Sequence, residues 1–141
     1  MPKVHKDFHG ALSCAFQFLE ENYGKEALTK FLIRVAQNCY KDLISNINTE
    51  GLLALEIYWR KIFTLEEGKF EIRTDENSVI IEVKECPALS HLKKAGYPIY
   101  KDFCYQTEII NSIIAKETGL YSSIEKNQDK AYCIQKFWRE K

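Results

Sequence analysis

The stretch KFEIRTDENSVIIEVKEC, residues 69–86, decides the fold class of this protein. Apolar or β-branched side chains alternate with charged ones from Phe70 to Thr74, and a second alternation runs from Val79 to Val83. A period of two puts alternate side chains on one face of a strand, and the intervening Asp75-Glu76-Asn77 is typical of a turn. The stretch therefore predicts a β-hairpin.

Three helices are predicted before this hairpin. Apolar residues recur at helical spacing from about Asp7 to Tyr23, from Leu28 to about Asn46, and from the predicted cap Thr49 to Gly68. Spacings of three and four residues build one apolar stripe along a helix, and glycine commonly ends a helix. We expect these stripes to pack against one another.

A crossover helix and a second hairpin are predicted after it. Helical spacing returns over Lys101–Thr118, and the strand-like segments 121–125 and 131–138 flank a polar turn, 126–130. Two hairpins joined by a helix most simply form one antiparallel sheet with helices on one face. We therefore expect a single α+β domain over residues 1–141, with three N-terminal helices followed by two β-hairpins joined by a crossover helix.

Composition excludes several partners and compartments. Twenty Lys and Arg residues balance twenty Asp and Glu residues, so no excess positive charge is present to hold a nucleic-acid backbone. Apolar runs are far shorter than the roughly twenty residues that span a bilayer, and the opening MPKVHKDFHG lacks the core of a signal peptide. The expectation is a cytoplasmic protein that binds neither nucleic acid nor membrane.

The five cysteines fit neither a disulfide framework nor a zinc ribbon, because their number is odd and no two have the CxxC spacing. Free thiols are expected. Cys14 and Cys39 fall within helical patterns and are predicted to be small core residues. Cys86, Cys104 and Cys133 are the candidates for chemistry.

The first two candidates have surroundings that suggest catalysis. Cys86 follows directly on the second strand and precedes Pro87, and His91 comes five residues later, close enough to serve as a base or co-ligand. Cys104 lies near the start of the crossover helix, where the helix dipole favours thiolate over thiol. Both are candidate nucleophiles.

The last strand and the N-terminus supply the remaining candidates. Cys133, Gln135 and Phe137 share one strand face, which makes them candidate substrate-binding residues. His5 and His9 are four residues apart, a metal-binding spacing on a continuous helix, whereas capping at Asp7 would leave His5 outside the helix. Three readings of the cysteines stay open: inert core packing, a shared pocket or a metal site.

The segments Asp7-Phe8-His9-Gly10, Cys86-Pro87-Ala88, Phe103-Cys104 and Cys133-x-Gln135-x-Phe137 together resemble the L-2-amino-thiazoline-4-carboxylic acid hydrolase-like family. That family is similar in turn to ligand-binding domains of the vinyl-reductase and transport-particle type. The resemblance implies hydrolytic opening of a cyclic C=N bond. It implies Cys86 or Cys104 as nucleophile, His9 or His91 as acid and base, and Gln135 as holder of the substrate's polar edge.

Two other functions fit the same sequence: a non-catalytic sensor or carrier of a small ligand, and an assembly module. The sequence requires no cofactor, and zinc or iron would be the candidate metals. A homodimer surface is expected on the third helix, from Tyr58, Trp59 and Phe63. Glu66 and Glu67 are predicted to lie in a solvated turn without function. A sensor predicts an apolar cavity, and an assembly module predicts an exposed apolar patch.

Overall fold

The computed structural model describes residues 4–140, which form six helices and four strands in an α+β arrangement. This confirms the predicted fold class. In chain order the elements are α1 (Phe8–Tyr23), α2 (Lys25–Cys39), α3 (Lys41–Glu50), α4 (Leu52–Leu65), β1 (Lys69–Thr74), β2 (Ser78–Glu85), α5 (Pro87–Ala95), α6 (Tyr105–Thr118), β3 (Tyr121–Asn127) and β4 (Tyr132–Trp138).

The four strands form one antiparallel sheet in the order β1-β2-β4-β3, so each predicted hairpin contributes one central and one edge strand. In the first turn the Asp75 carboxylate accepts hydrogen bonds from the backbone N–H groups of Asn77 and Ser78, both at 2.8 Å. An aspartate that bonds the backbone two or three residues ahead fixes a tight turn. The register between β2 and β4 places Val83 opposite Cys133.

The N-terminal region contains four helices where the spacing predicted three. The predicted second helix breaks at Tyr40, which separates α2 from α3. Thr49 does not cap the next helix, because it lies inside α3 and its hydroxyl donates to the Ser45 carbonyl at 3.0 Å. Gly51, with φ of 81°, ends α3 instead, in a conformation that glycine adopts at little cost.

The connection between the hairpins holds two helices. Pro87 occupies the first turn of α5, where its missing N–H costs no hydrogen bond. The crossover helix α6 begins at Tyr105, later than the predicted Lys101, and Cys104 is the residue before it. Both helix starts therefore bring a cysteine to the end of a loop.

Two clusters of buried side chains stabilise the fold. One lies between the sheet and the helices α3, α4 and α6 and includes Val79, Ile81 and Phe137, all with 0% exposure. The other joins α1, α2 and α5 through residues such as Phe16 and Leu89. Each fully buried apolar side chain contributes about 1.5–3 kcal/mol relative to exposure. Partly buried Cys86 packs against both clusters.

The side chains predicted to form a dimer surface on the third helix pack inward. Phe63 is buried and Tyr58 and Trp59 are half-buried against the first cluster, while the exposed large apolar residues of α4 are Leu53, Ile57 and Leu65. Among residues 4–140, none of the helices has the length and apolar character to cross a membrane.

Candidate functional site

A cavity of about 300 Å³ lies where the two core clusters meet. Side chains from α1, α4, α5, α6, β3 and β4 line it, together with the residues that precede α5 and α6. Its walls are mostly apolar, as in the sites of small organic ligands, which are largely apolar clefts with a few placed polar groups. The chain therefore has an internal site of ligand size.

One wall is aromatic and comes chiefly from α4. The rings of Tyr58 and Trp59 are 5.0 Å apart edge to face, the Trp59 and Phe63 rings are 5.6 Å apart, and Tyr40 lies 6.3 Å from Trp59. Burial and the neighbouring Tyr58 raise the pKa of the Tyr40 hydroxyl. Trp59 and Phe63 are four residues apart and so share a helix face. This face supplies a flat, apolar surface for a ligand.

Three of the five thiols line the same cavity. Cys86 precedes α5 and its N–H donates to the Ala131 carbonyl at 2.7 Å, while the Cys104 N–H donates to the Gln128 side-chain oxygen at 3.2 Å. Cys133 lies on β4, opposite Val83. The fold brings these distant residues together: Cys86 follows the central strand β2, Cys104 precedes α6, and Cys133 lies on β4, the strand next to β2.

Burial holds these thiols in the neutral form. It raises the pKa of Cys86, and it raises the pKa of Cys133 to about 11. Burial and repulsion from the thiolate forms of Cys86 and Cys133 raise the pKa of Cys104 to about 12. The expectation that the helix start favours a Cys104 thiolate is therefore wrong, because desolvation of the anion outweighs the helix dipole.

His9 and Glu66 form a buried pair at the edge of the cavity. The imidazole Nε2 lies 2.6 Å from Glu66 Oε1, and the two side chains are only 11% and 12% exposed. A carboxylate accepts hydrogen bonds, so Nε2 carries the proton and donates it. Glu66 follows the last turn of α4 and is not the solvated residue that the sequence predicted.

Two buried polar atoms at the cavity have no hydrogen-bond partner within the described residues: His9 Nδ1 and Trp59 Nε1. Buried polar groups are nearly always paired, and leaving one unpaired costs about 1–3 kcal/mol. With the Nε2 proton donated to Glu66, Nδ1 of neutral imidazole offers a lone pair, whereas the indole Nε1 offers a proton. The cavity therefore presents one free acceptor and one free donor.

A second polar pair lies at the sheet end of the cavity. The Asn111 amide donates to Gln135 Oε1 at 2.9 Å, and the Gln135 amide nitrogen lies 3.5 Å from Cys133 Sγ. Both amides are buried. Gln135, which the resemblance implies as holder of a polar edge, thus already has an intramolecular partner.

The predicted site residues divide into two groups. Cys86, Cys104, Cys133, His9 and Gln135 all line the cavity. Outside it lie His91, whose Nε2 is 2.8 Å from the Asp7 carboxylate, and Phe137, which is fully buried in the sheet core.

Other predictions about cysteines and histidines need correction. Cys14 and Cys39 are exposed, not core residues, because they lie on the outer sides of α1 and α2. His5 precedes α1, so it shares no helix face with His9. The Asp7 side chain makes no capping bond and instead accepts from His91 and from the Tyr97 hydroxyl, which lowers the Asp7 pKa.

Sequence reasoning missed Glu66 and Asn111 as cavity residues, and it placed Trp59 among aromatic residues that are mostly core, some of which could line a pocket. A signal was present for one of them: Glu66 is seven residues beyond Trp59, which is two helical turns along the same face. The partnership of His9 with Glu66 joins residues 57 positions apart, and no local pattern indicates it.

Within residues 4–140, no cluster of three or more His, Cys, Asp or Glu side chains has an arrangement that would hold a metal ion. Comparison with known proteins gave no match to any family model. Curated proteins and solved structures likewise gave none. The functional proposal therefore rests on the geometry of the cavity.

Proposed function

We propose that this protein binds a small, mostly apolar molecule in the thiol-lined cavity, as a carrier or sensor and not as a thiol-dependent enzyme. The observation that carries the proposal is the cavity itself, about 300 Å³ bounded largely by aromatic and aliphatic side chains. A dry apolar cavity of about 150 Å³ already binds benzene. Twice that volume suits a molecule with two fused rings.

The state of the thiols favours binding over nucleophilic catalysis. The thiolate is the reactive form of cysteine, and the pKa of Cys104 is raised to about 12. No hydrogen bond joins any of the three thiols to His9 in the part of the chain that the structure describes. A nucleophile and its base normally lie within hydrogen-bond reach.

The lining also argues against a thiazoline carboxylate as the ligand. Glu66 is the single charged side chain among the described cavity residues, and none of them is lysine or arginine. An anion buried without a cationic partner loses hydration that nothing replaces. A neutral ligand is the better match.

A matched pair of variants on α6 tests the proposal with β-fluoronaphthalene as the probe, followed by fluorine NMR. Thr107 lines the cavity and is half-buried, whereas Ser112 lies on the exposed side of the same helix. Thr107→Phe should fill the cavity and weaken binding at least about tenfold, and Ser112→Phe should leave it unchanged. An absence of binding to the unaltered protein, or equal binding by both variants, would refute the proposal.

A further inference from the structure

The unpartnered polar atoms of the cavity define the polar end of its ligand. We propose that the ligand is a neutral molecule whose polar edge both donates and accepts a hydrogen bond, donating to His9 Nδ1 and accepting from Trp59 Nε1. Lactams and neutral N–H azoles are the chemical classes that carry such an edge on a flat ring. The inference rests on the proposed function and specifies its ligand.

The first step concerns His9, which is 9% exposed and therefore nine-tenths buried. Its Nε2 is committed to Glu66 at 2.6 Å, and its Nδ1 has no partner among the described residues. In the neutral form of the ring, the bond to the carboxylate places the proton on Nε2 and leaves the Nδ1 lone pair free. A ligand N–H or O–H satisfies that lone pair.

The second step concerns Trp59, whose Nε1–H is buried and unpartnered. An indole N–H only donates, so its complement is a ligand oxygen or nitrogen acceptor. Trp59 and Glu66 are seven residues apart on one face of α4 and its end, and both line the same cavity as His9. One ligand that fills the cavity therefore meets both atoms.

The third step concerns charge. An anion such as a carboxylate accepts but does not donate, so it would leave the Nδ1 lone pair unanswered and would add a negative charge beside Glu66. For a cation, the one carboxylate among the described cavity residues is that of Glu66, which is already hydrogen-bonded to His9. Neutral ligands with a donor and an acceptor are the class that fits both free atoms.

The test uses four probes of similar size. Carbostyril is a bicyclic lactam with both N–H and C=O, N-methylcarbostyril keeps only the acceptor, β-naphthoate is an anion, and β-fluoronaphthalene has no polar edge. Carbostyril should bind about tenfold more tightly than N-methylcarbostyril, since one hydrogen bond to an otherwise unpaired buried atom is worth about that factor. β-Naphthoate should bind weakest.

Two variants separate hydrogen bonding from shape. His9→Lys keeps an N–H donor for Glu66 but has no acceptor, so it should abolish the preference for carbostyril over its N-methyl form. Trp59→Phe removes the donor and should weaken both lactams about tenfold more than it weakens β-fluoronaphthalene, whose change measures the lost ring surface. Trp138→Phe, at the end of the central strand β4 and outside the cavity lining, is the matched control and should change nothing.

The indole proton of Trp59 gives a second readout, because Trp138→Phe leaves a single tryptophan signal in a proton–nitrogen correlation spectrum. Carbostyril should move that signal downfield. If β-fluoronaphthalene binds but carbostyril and N-methylcarbostyril bind equally, or the preference for carbostyril survives His9→Lys, the inference is overturned and the proposed function stands. Tighter binding of β-naphthoate overturns the inference too, and binding of none of the four overturns both.

Discussion

The native thiols of the cavity should be slow to alkylate, and the two exposed cysteines of the same chain provide the internal standard. Treatment with iodoacetamide at about pH 8 probes the thiolate fraction of each site, since the thiolate is the nucleophile. Cys104, with its pKa raised to about 12, has roughly one thiolate in ten thousand at that pH. An ordinary exposed thiol of pKa about 8.5 is about one quarter ionised.

The expected rate ratio is smaller than the ratio of thiolate fractions, because a more basic thiolate is also more nucleophilic. A Brønsted slope of about 0.4–0.5 recovers a factor of about forty in the rate of Cys104, which leaves it about fiftyfold slower than such an ordinary exposed thiol. The same reasoning makes Cys133, with a pKa of about 11, about twentyfold slower. Limited access to buried thiols widens both ratios.

Peptide mass spectrometry over a time course measures all five sites in one sample. Unfolding the protein in urea should bring the five rates within a few fold of one another, which separates the effect of the fold from that of neighbouring residues in the chain. In the native protein the Cys104 rate should still be rising with pH at about pH 11, because its pKa is raised to about 12. Equal native rates for Cys104 and Cys14 at about pH 8 would show that burial does not control these thiols and would reopen nucleophilic catalysis.

Three further perturbations test the packing and electrostatics around the cavity. Phe137→Ala should lower the free energy of unfolding by about 3–5 kcal/mol in urea titrations, because the ring is fully buried in the sheet core; a smaller loss would contradict that placement. Glu66→Ala should lower it by about 1–3 kcal/mol by leaving His9 Nε2 unpaired, and an unchanged midpoint would argue against the pair. Stability should be highest below about pH 9 and fall as the pH rises toward 11 and 12, because the unfolded chain loses protons that folded Cys133 and Cys104 retain. Thermal scans that show a flat stability curve across this range would refute the raised pKa values.

The sheet was predictable from the sequence because its information is local. Alternation in 69–86 fixes which side chains face the helices, and Asp75 specifies the first turn through bonds to its immediate neighbours. Helix boundaries were harder: the break at Tyr40 interrupts an apolar stripe that continues on both sides of it. Periodicity reports the buried face of a helix and is insensitive to such a break.

The site was only partly predictable, since convergence depends on contacts between distant residues. Cys86 and Cys133 could be proposed from strand ends and strand faces, but the distance of His91 from the cavity follows from its pairing with Asp7, 84 positions earlier. Glu66 appeared to belong to a charged turn, but it is largely buried and bonds to His9 of α1, 57 positions earlier. Desolvation, which reversed the expected state of Cys104, is likewise a property of the folded surroundings.

The cavity carries a cost that the rest of the fold does not. Apolar packing is continuous in both clusters, yet at their junction the structure leaves His9 Nδ1 and Trp59 Nε1 without partners. At about 1–3 kcal/mol each, these atoms amount to a sizeable part of the 5–15 kcal/mol by which domains are typically stable. A fold that needed only to be stable would have filled this space with apolar side chains. A ligand that satisfies both atoms recovers that free energy on binding, so the same two atoms that destabilise the free protein account for its selectivity.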